Sequence, residues 1–211
     1  MSDLEDEYRR RFPAILVPLA EALEGHLKGT LQGEARIDRI SARAKATDRF
    51  IAKANATEGG ESKYTEPLRE IQDQVGARIV TFYLSDVERI AAIIERYYRR
   101  VESRVVVPDS ESEFGYFGRH YILLVPSDLM PSGDDKSLAP EFFELQIKTL
   151  FQHAWAEANH DLGYKPQSAV LSRDARRRIA YTSAQAWGAD RMFNELFREF
   201  GENASVPSDG H

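Results

Sequence analysis

The chain has 211 residues, 42% of them hydrophobic and 29% charged, and 34 acidic against 28 basic side chains give a formal net charge of −6. That balance suits a soluble globular protein with a substantial core and argues against nucleic-acid binding by the whole surface, while leaving room for a local basic pocket. Cysteine is absent, which excludes disulfides, thiolate metal sites and a cysteine nucleophile and fits a reducing cytoplasm; no apolar run reaches membrane-spanning length, and the acidic start Met1-Ser2-Asp3-Leu4-Glu5-Asp6 is unlike a signal peptide.

From residue 3 to about 31 the chain reads as helix broken near Pro13 and Pro18, with Leu4, Tyr8, Phe12, Leu16, Leu19 and Leu23 at roughly helical spacing. Ala35 to Ser41 alternates and predicts a short strand, Arg43 to Ala56 a helix, and Thr57 to Pro67 a polar loop. Val75 to Tyr83 is the clearest strand, β-branched and apolar with a single arginine. Ser85 then opens a helix to about Arg99, with Asp86 and Glu88 in its first turn. Arg104 to Val107 and Tyr121 to Val125 are short β-rich runs separated by a loop from Pro108 to Gly118. Phe142 to Ile147 is the next strand, a helix follows it directly, and Arg173 to about Phe200 predicts a long helix. The expected organisation is an N-terminal helical segment over 1–34, a mixed α/β core over 35–170, a C-terminal helix over 171–200 and a disordered tail over 201–211.

Four groups of residues carry candidate chemistry. Arg43, Lys45, Arg49 and Lys53 make a strongly basic stretch in an acidic chain, and the last three, four residues apart, would form one cationic stripe on a helix. Such a stripe suits a polyphosphate or a nucleic-acid backbone; it equally suits a solvated face paired with Asp48. Asp73 and Arg78 flank the start of the clearest strand, where a carboxylate could bind Mg²⁺ and a guanidinium could hold phosphate or stack on a base. A turn-forming aspartate and a solvated arginine explain the same residues. The loop Glu113-Phe114-Gly115-Tyr116-Phe117-Gly118-Arg119-His120 sets glycines around aromatics, which fits a ring offered to a base or a loop tucked onto the core.

The fourth group is the run from Phe143 through Glu144, Gln146 and Lys148 into a helix carrying His153, Glu157 and His160. A carboxylate on an apolar strand is expensive unless a cation or hydrogen-bond donors hold it, so Glu144 is a site candidate. On the helix, Ile147, Leu150, Phe151, Ala154, Trp155, Ala158 and Leu162 recur at core spacing. The adjacent face with its two histidines lacks the H-E-x-x-H order of a zinc helix, and Glu157 can simply orient its neighbours.

Taken in order, these pieces resemble the synthetase domain of the RelA/SpoT family, especially the stand-alone small alarmone synthetases. The resemblance rests on Glu144-Leu145-Gln146-Ile147-Lys148-Thr149, on His153-Ala154-Trp155-Ala156-Glu157 followed by His160-Asp161-Leu162-Gly163-Tyr164-Lys165, and on Asp73 to Arg78, Gly115-Tyr116 with His120, and Arg43 with Lys45 and Lys53. It implies an α/β (α+β) fold, a nucleotidyltransferase-like mixed β-sheet flanked by helices. It also implies transfer of the β,γ-pyrophosphate of ATP to the 3′-hydroxyl of GTP or GDP, yielding a guanosine alarmone and AMP. Under it Asp73 and Glu144 would bind Mg²⁺ and Glu144 would help deprotonate the hydroxyl. Arg43, Lys45, Arg49 and Lys53 would line the ATP phosphates, and Arg78 would pack on adenine. Tyr116 would stack on the acceptor guanine, with His120, Gln146, Lys148 and His153 lining that pocket. Arg49, Phe117, Gly118 and Lys148 depart from the family's usual residues, which keeps a toxin-like relative acting on tRNA 3′ ends or adenosine nucleotides as an alternative. A binding module without turnover is a further one. Small relatives are often homotetramers, and Trp187, Met192, Phe193, Leu196 and Phe200 would offer a self-association stripe or pack on their own domain.

Overall fold

The computed structural model describes residues 3–105, 118–163 and 172–203. A helical path opens the chain: α1 (Asp3–Arg11), a π-helical turn over Phe12–Leu16, and α2 (Val17–Thr30). The expected break at Pro13 is instead a widened turn in which Val17 N–H donates to the Phe12 carbonyl. Proline lacks an N–H and crowds the preceding turn, so the path widens without ending. Next come β1 (Ile37–Ala44), α3 (Thr47–Ala54), the hairpin strands β2 (Thr57–Glu58) and β3 (Glu61–Ser62), and the single turn α4 (Pro67–Glu70). Gly59 and Gly60, both at positive φ, make the hairpin turn inside the segment expected to be loop. Then follow β4 (Val75–Thr81), α5 (Leu84–Tyr97), β5 (Arg100–Val105), β6 (Arg119–Leu124), β7 (Phe142–Thr149), α6 (Leu150–Gly163) and α7 (Arg173–Asn203).

Five strands form one mixed sheet in the order β1-β4-β7-β6-β5. β4 and β7, the two most buried strands, run parallel at its centre, and the remaining pairs are antiparallel. The charge-rich β1 and β5 form the edges, where a strand meets solvent. Alternation splits the central strands between two faces. Val75, Ala77, Ile79, Tyr121, Leu123, Phe143, Leu145 and Ile147 are buried in the core shared with α2 and α5. Gly76, Arg78, His120, Glu144, Gln146 and Lys148 fall on the opposite face. The fold thus separates a dry face from a polar one, and every second residue of β4, β6 and β7 is available for chemistry.

Two expectations change near the basic segment. Arg43 and Ala44 belong to β1, because the ladder with β4 pairs Arg43 with Gly76 and Ala44 with Val75, and Lys45 N–H continues it to the Gln74 carbonyl. Helix α3 begins only at Thr47, after the extended residue Ala46. At the other end, α7 extends through Gly201 to Asn203, so the first part of the expected tail is helical, and residues 204–211 lie outside the described residues. α7 is tied down by polar and aromatic contacts. Thr149 Oγ1 donates to Asp190, Ser85 N–H donates to Asn194 Oδ1 at 2.9 Å, and Tyr83 stacks on Phe197 with centroids 4.4 Å apart. Tyr181, Trp187, Met192, Phe193, Leu196 and Phe200 nonetheless stay exposed.

Candidate active site

The polar face of the sheet gathers most of the predicted residues. Asp73 sits just before β4, and its Oδ2 lies 2.9 Å from Lys45 Nζ and 3.0 Å from Lys53 Nζ. Lys45 comes from the end of β1 and Lys53 from α3. This corner is fixed from behind by Tyr8, which stacks on Phe50 at 3.8 Å and donates to the Lys45 carbonyl at 2.7 Å. The cationic stripe is therefore not one unit. Lys45 and Lys53 converge on Asp73, whereas Arg49 ion-pairs with Asp48 at 3.7 Å.

One strand over, Glu144 lies opposite Gly76 of β4 and Ile122 of β6. Gln146 Nε2 donates to its Oε1 at 3.0 Å, and His120 Nδ1 is 3.2 Å from the same oxygen. Burial alone would raise this carboxyl. The hydrogen bonds from His120 and Gln146, with the charges of His120 and Lys53, outweigh burial and hold it down to about 2. Lys53 thus couples the Asp73 corner to Glu144. His120 and Gln146 are cross-strand partners, which is why both reach one carboxylate.

Three buried polar atoms here have no hydrogen-bond partner among the described residues: Asp73 Oδ1, His120 Nε2 and Gln146 Oε1. Orphaned atoms of this kind on a polar face fit a site built to receive a ligand. The donor set also fits Mg²⁺, a hard cation that takes one or two carboxylates and completes its shell with water and phosphate oxygens. Asp73 and Glu144 are the carboxylates available for it, and two ammonium groups neutralise Asp73 in their present arrangement.

Lys148, next on the same face of β7, is 5% exposed. Burial and then the Arg78 charge push its ammonium down to about 8, against the opposing pull of Glu144 and Glu157. Its stem runs beside Gly118, where any side chain would collide with the Ile147 carbonyl and the Lys148 methylenes. On β4, Arg78 Nη1 lies 3.1 Å from His153 Nδ1 and 2.5 Å from Glu157 Oε1, so α6 closes over this part of the face. Sequence reasoning placed Glu157 on the histidine-bearing helix face but had no means of pairing it with Arg78; the only available signal was its four-residue spacing from His153. Tyr116 lies outside the described residues.

A separate cavity of about 420 Å³ lies on the α5 side of the sheet, lined by Ser85, Glu88, Arg119, Gln152, Arg191 and Arg198 among others. It contains none of the predicted site residues. The convergence of two carboxylates and several cations makes the polar face the better candidate for phosphate chemistry.

The model of the region found in RelA / SpoT proteins matches residues 42–169, which include every site residue described above. The chain belongs to the RelA/SpoT family. Over 94% of its length it is 27% identical to the GTP pyrophosphokinase YjbM of Bacillus subtilis, covering 93% of that protein. A GTP pyrophosphokinase family protein from Streptococcus pneumoniae superposes with a TM-score of 0.71 at 21% identity, over 96% of this chain and 97% of that one. Small alarmone synthetase 1 from Bacillus subtilis, bound to its product pppGpp, gives 0.68 at 23% over 87% and 94% of the two chains. The same synthetase bound to AMPCPP gives 0.65 at 22% over 88% and 95%. The mixed sheet with its helices is thus the fold of these RelA/SpoT relatives, as the resemblance implied.

Proposed function

We propose that this RelA/SpoT-family chain transfers the β,γ-pyrophosphate of ATP to the 3′-hydroxyl of GTP or GDP, forming (p)ppGpp and releasing AMP. The observation that carries this reading is the pairing of two half-buried carboxylates at one sheet face. Asp73 is neutralised by Lys45 and Lys53, and Glu144 is held ionised by His120 and Gln146. The GTP pyrophosphokinase name of the YjbM relative, and the pppGpp and AMPCPP bound to the related synthetase, support both nucleotide classes.

In this reading Arg43, Lys45 and Lys53 hold the ATP phosphates, with Arg49 at the rim, and Arg78 packs on adenine. Tyr116 stacks on the acceptor guanine, and His120, Gln146, Lys148 and His153 line its pocket. The acceptor 3′-oxygen attacks the β-phosphorus as the bond from that phosphorus to the α,β-bridging oxygen breaks, and AMP leaves with that oxygen. Glu144 accepts the hydrogen bond of the attacking hydroxyl and orients it. Held so acidic by His120 and Gln146, it becomes an effective base only as these donors turn to the incoming nucleotide. Mg²⁺, held by Asp73 and Glu144, would supply charge neutralisation of the triphosphate. The same reading places the chain in the cytoplasm with its nucleotides; no helix among the described residues is long and apolar enough to cross a membrane. The exposed apolar side chains of α7 are proposed to meet a second copy, with light scattering as the check.

The deciding experiment incubates the chain with Mg²⁺ and β,γ-labelled ATP and separate pools of GTP, GDP, ADP and uncharged tRNA. Label in the guanine nucleotides with stoichiometric AMP is expected. Label in tRNA or ADP alone replaces the acceptor assignment, and tight nucleotide binding without product in any pool makes the chain a binding module.

A further inference from the structure

Among the described residues, Arg78 is held from one side only. Its contacts with the described residues, to Glu157 Oε1 at 2.5 Å and to His153 Nδ1 at 3.1 Å, both fall on Nη1. His153 and Glu157 are four residues apart on α6 and share one helix face. Burial and then the Arg78 charge hold the His153 imidazole below its ordinary value, so at neutral pH its ring nitrogen is free to accept from the guanidinium. Burial would raise the Glu157 carboxyl, but the Arg78 hydrogen bond and charge, followed by the charges of His153 and Arg43, bring it below the ordinary carboxylate range. Glu157 is therefore an anion held by Arg78 and acted on by the charge of Arg43, two of the arginines that the proposed function gives to ATP.

The geometry points to Glu157 as a positioning residue for the donor nucleotide. It anchors Arg78 by one edge of the guanidinium fork, so that the planar face and the remaining N–H groups stay presented to the base of ATP. This inference rests on the reading that Arg78 packs on adenine. Glu157 acts through Arg78 and touches no nucleotide itself. A long arginine side chain loses much conformational freedom when a ligand orders it, and an anchor in place beforehand removes part of that loss from the binding step. His153 supplies the second acceptor and so limits rotation about the anchored nitrogen. The effect belongs to ATP affinity rather than to the chemical step.

The test uses the full chain and AMPCPP, whose methylene bridge between the α- and β-phosphates blocks the transfer. Calorimetry is expected to show about tenfold weaker AMPCPP binding in Glu157→Ala, the scale of one charged hydrogen bond. Glu157→Gln should recover part of this loss. KM for ATP should rise in parallel, with kcat and KM for the acceptor within about twofold of wild type. Glu157→Ala should add nothing to Arg78→Ala. Tighter AMPCPP binding in Glu157→Ala would mean that Glu157 competes with the nucleotide for Arg78 and overturns the proposal, as do additive losses in the double variant or a fall in kcat at unchanged ATP affinity. Wild-type binding by Arg78→Ala overturns it together with the adenine assignment. Wild-type protein that binds AMPCPP but transfers nothing to any acceptor removes the pyrophosphotransferase reading alone and leaves the Glu157 result standing.

Discussion

Asp73 and Glu144 are both half-buried carboxylates at the polar face of one sheet, yet the protein satisfies them by different means. Asp73 stands where β4 begins and is neutralised by two lysines on flexible stems, Lys45 and Lys53. Glu144 stands within the central strand β7 and is held by His120 and Gln146, whose positions are set by strand register. An ammonium on a flexible stem can be displaced by an incoming cation or turned toward a phosphate. Donors whose backbones are set by strand register converge on one carboxylate and hold its charge until a ligand draws their side chains away. In the proposed function, the Asp73 corner is thus suited to exchange of charges and the Glu144 corner to keeping an ionised carboxylate for the hydroxyl.

The largest effect should follow removal of the oriented charge. Glu144→Gln is expected to lower kcat by about a thousandfold or more, as loss of a base and a metal-binding oxygen together would. Stability separates this from unfolding. The Glu144 pKa is depressed from an ordinary 4.5 to about 2, so its contribution is fully present above pH 4.5 and is lost as the pH falls toward 2. Wild type should therefore lose stability more steeply than Glu144→Gln across that window, by about 1–3 kcal/mol in urea titrations. Parallel acid profiles would show that His120 and Gln146 do not favour the charged form, and would dissolve the contrast with Asp73.

A smaller effect is expected at the exchangeable corner. Lys53→Met leaves Asp73 with Lys45, so the fold should change by no more than about 1 kcal/mol, while kcat/KM for ATP falls by about ten- to a hundredfold. Chelation of Mg²⁺ with EDTA should stop transfer without shifting the melting temperature of the nucleotide-free protein, because the lysines already neutralise Asp73. A large EDTA-induced drop in melting temperature would show that a metal, rather than the lysines, holds this corner together.

Legibility divides along the same line. β4, β7, α5 and α7 are readable because each is an apolar run or stripe long enough to outweigh its neighbours. The boundary between β1 and α3 is not. Arg43, Lys45, Arg49 and Lys53 fit helical spacing as well as an edge strand followed by a short helix, and the extended backbone at Ala46 leaves no mark in composition. The π-helical turn at Pro13 is hidden for a related reason, since proline reports a disturbed helix but not whether it continues. Glu144 is visible as a charge on an apolar strand. Its donors depend on which residue of β6 faces Gln146, which is a matter of strand pairing. Glu157 and Arg78 are 79 positions apart and meet only because α6 folds back across the sheet.

Lys148 supplies the finest test, because it lies between the two kinds of site. It is buried, has no ion pair among the described residues, and its ammonium is pushed down from an ordinary 10.5 to about 8. The sign is opposite to that of Glu144. Between pH 8 and 10.5 the unfolded chain binds the extra proton, so the destabilisation this lysine imposes is full below about 8 and is relieved as pH rises through that window. Lys148→Met, close in volume and neutral, should then stabilise the free protein at pH 7 by about 1–2 kcal/mol, measured by thermal or urea unfolding. The same variant should weaken acceptor binding, and in the wild type KM for the acceptor should rise above pH 8 as the ammonium loses its charge. A destabilised Lys148→Met would mean that Glu144 and Glu157 more than compensate the buried cation. Lys148 would then belong with the donors that hold Glu144 in place rather than with the charges kept for a nucleotide.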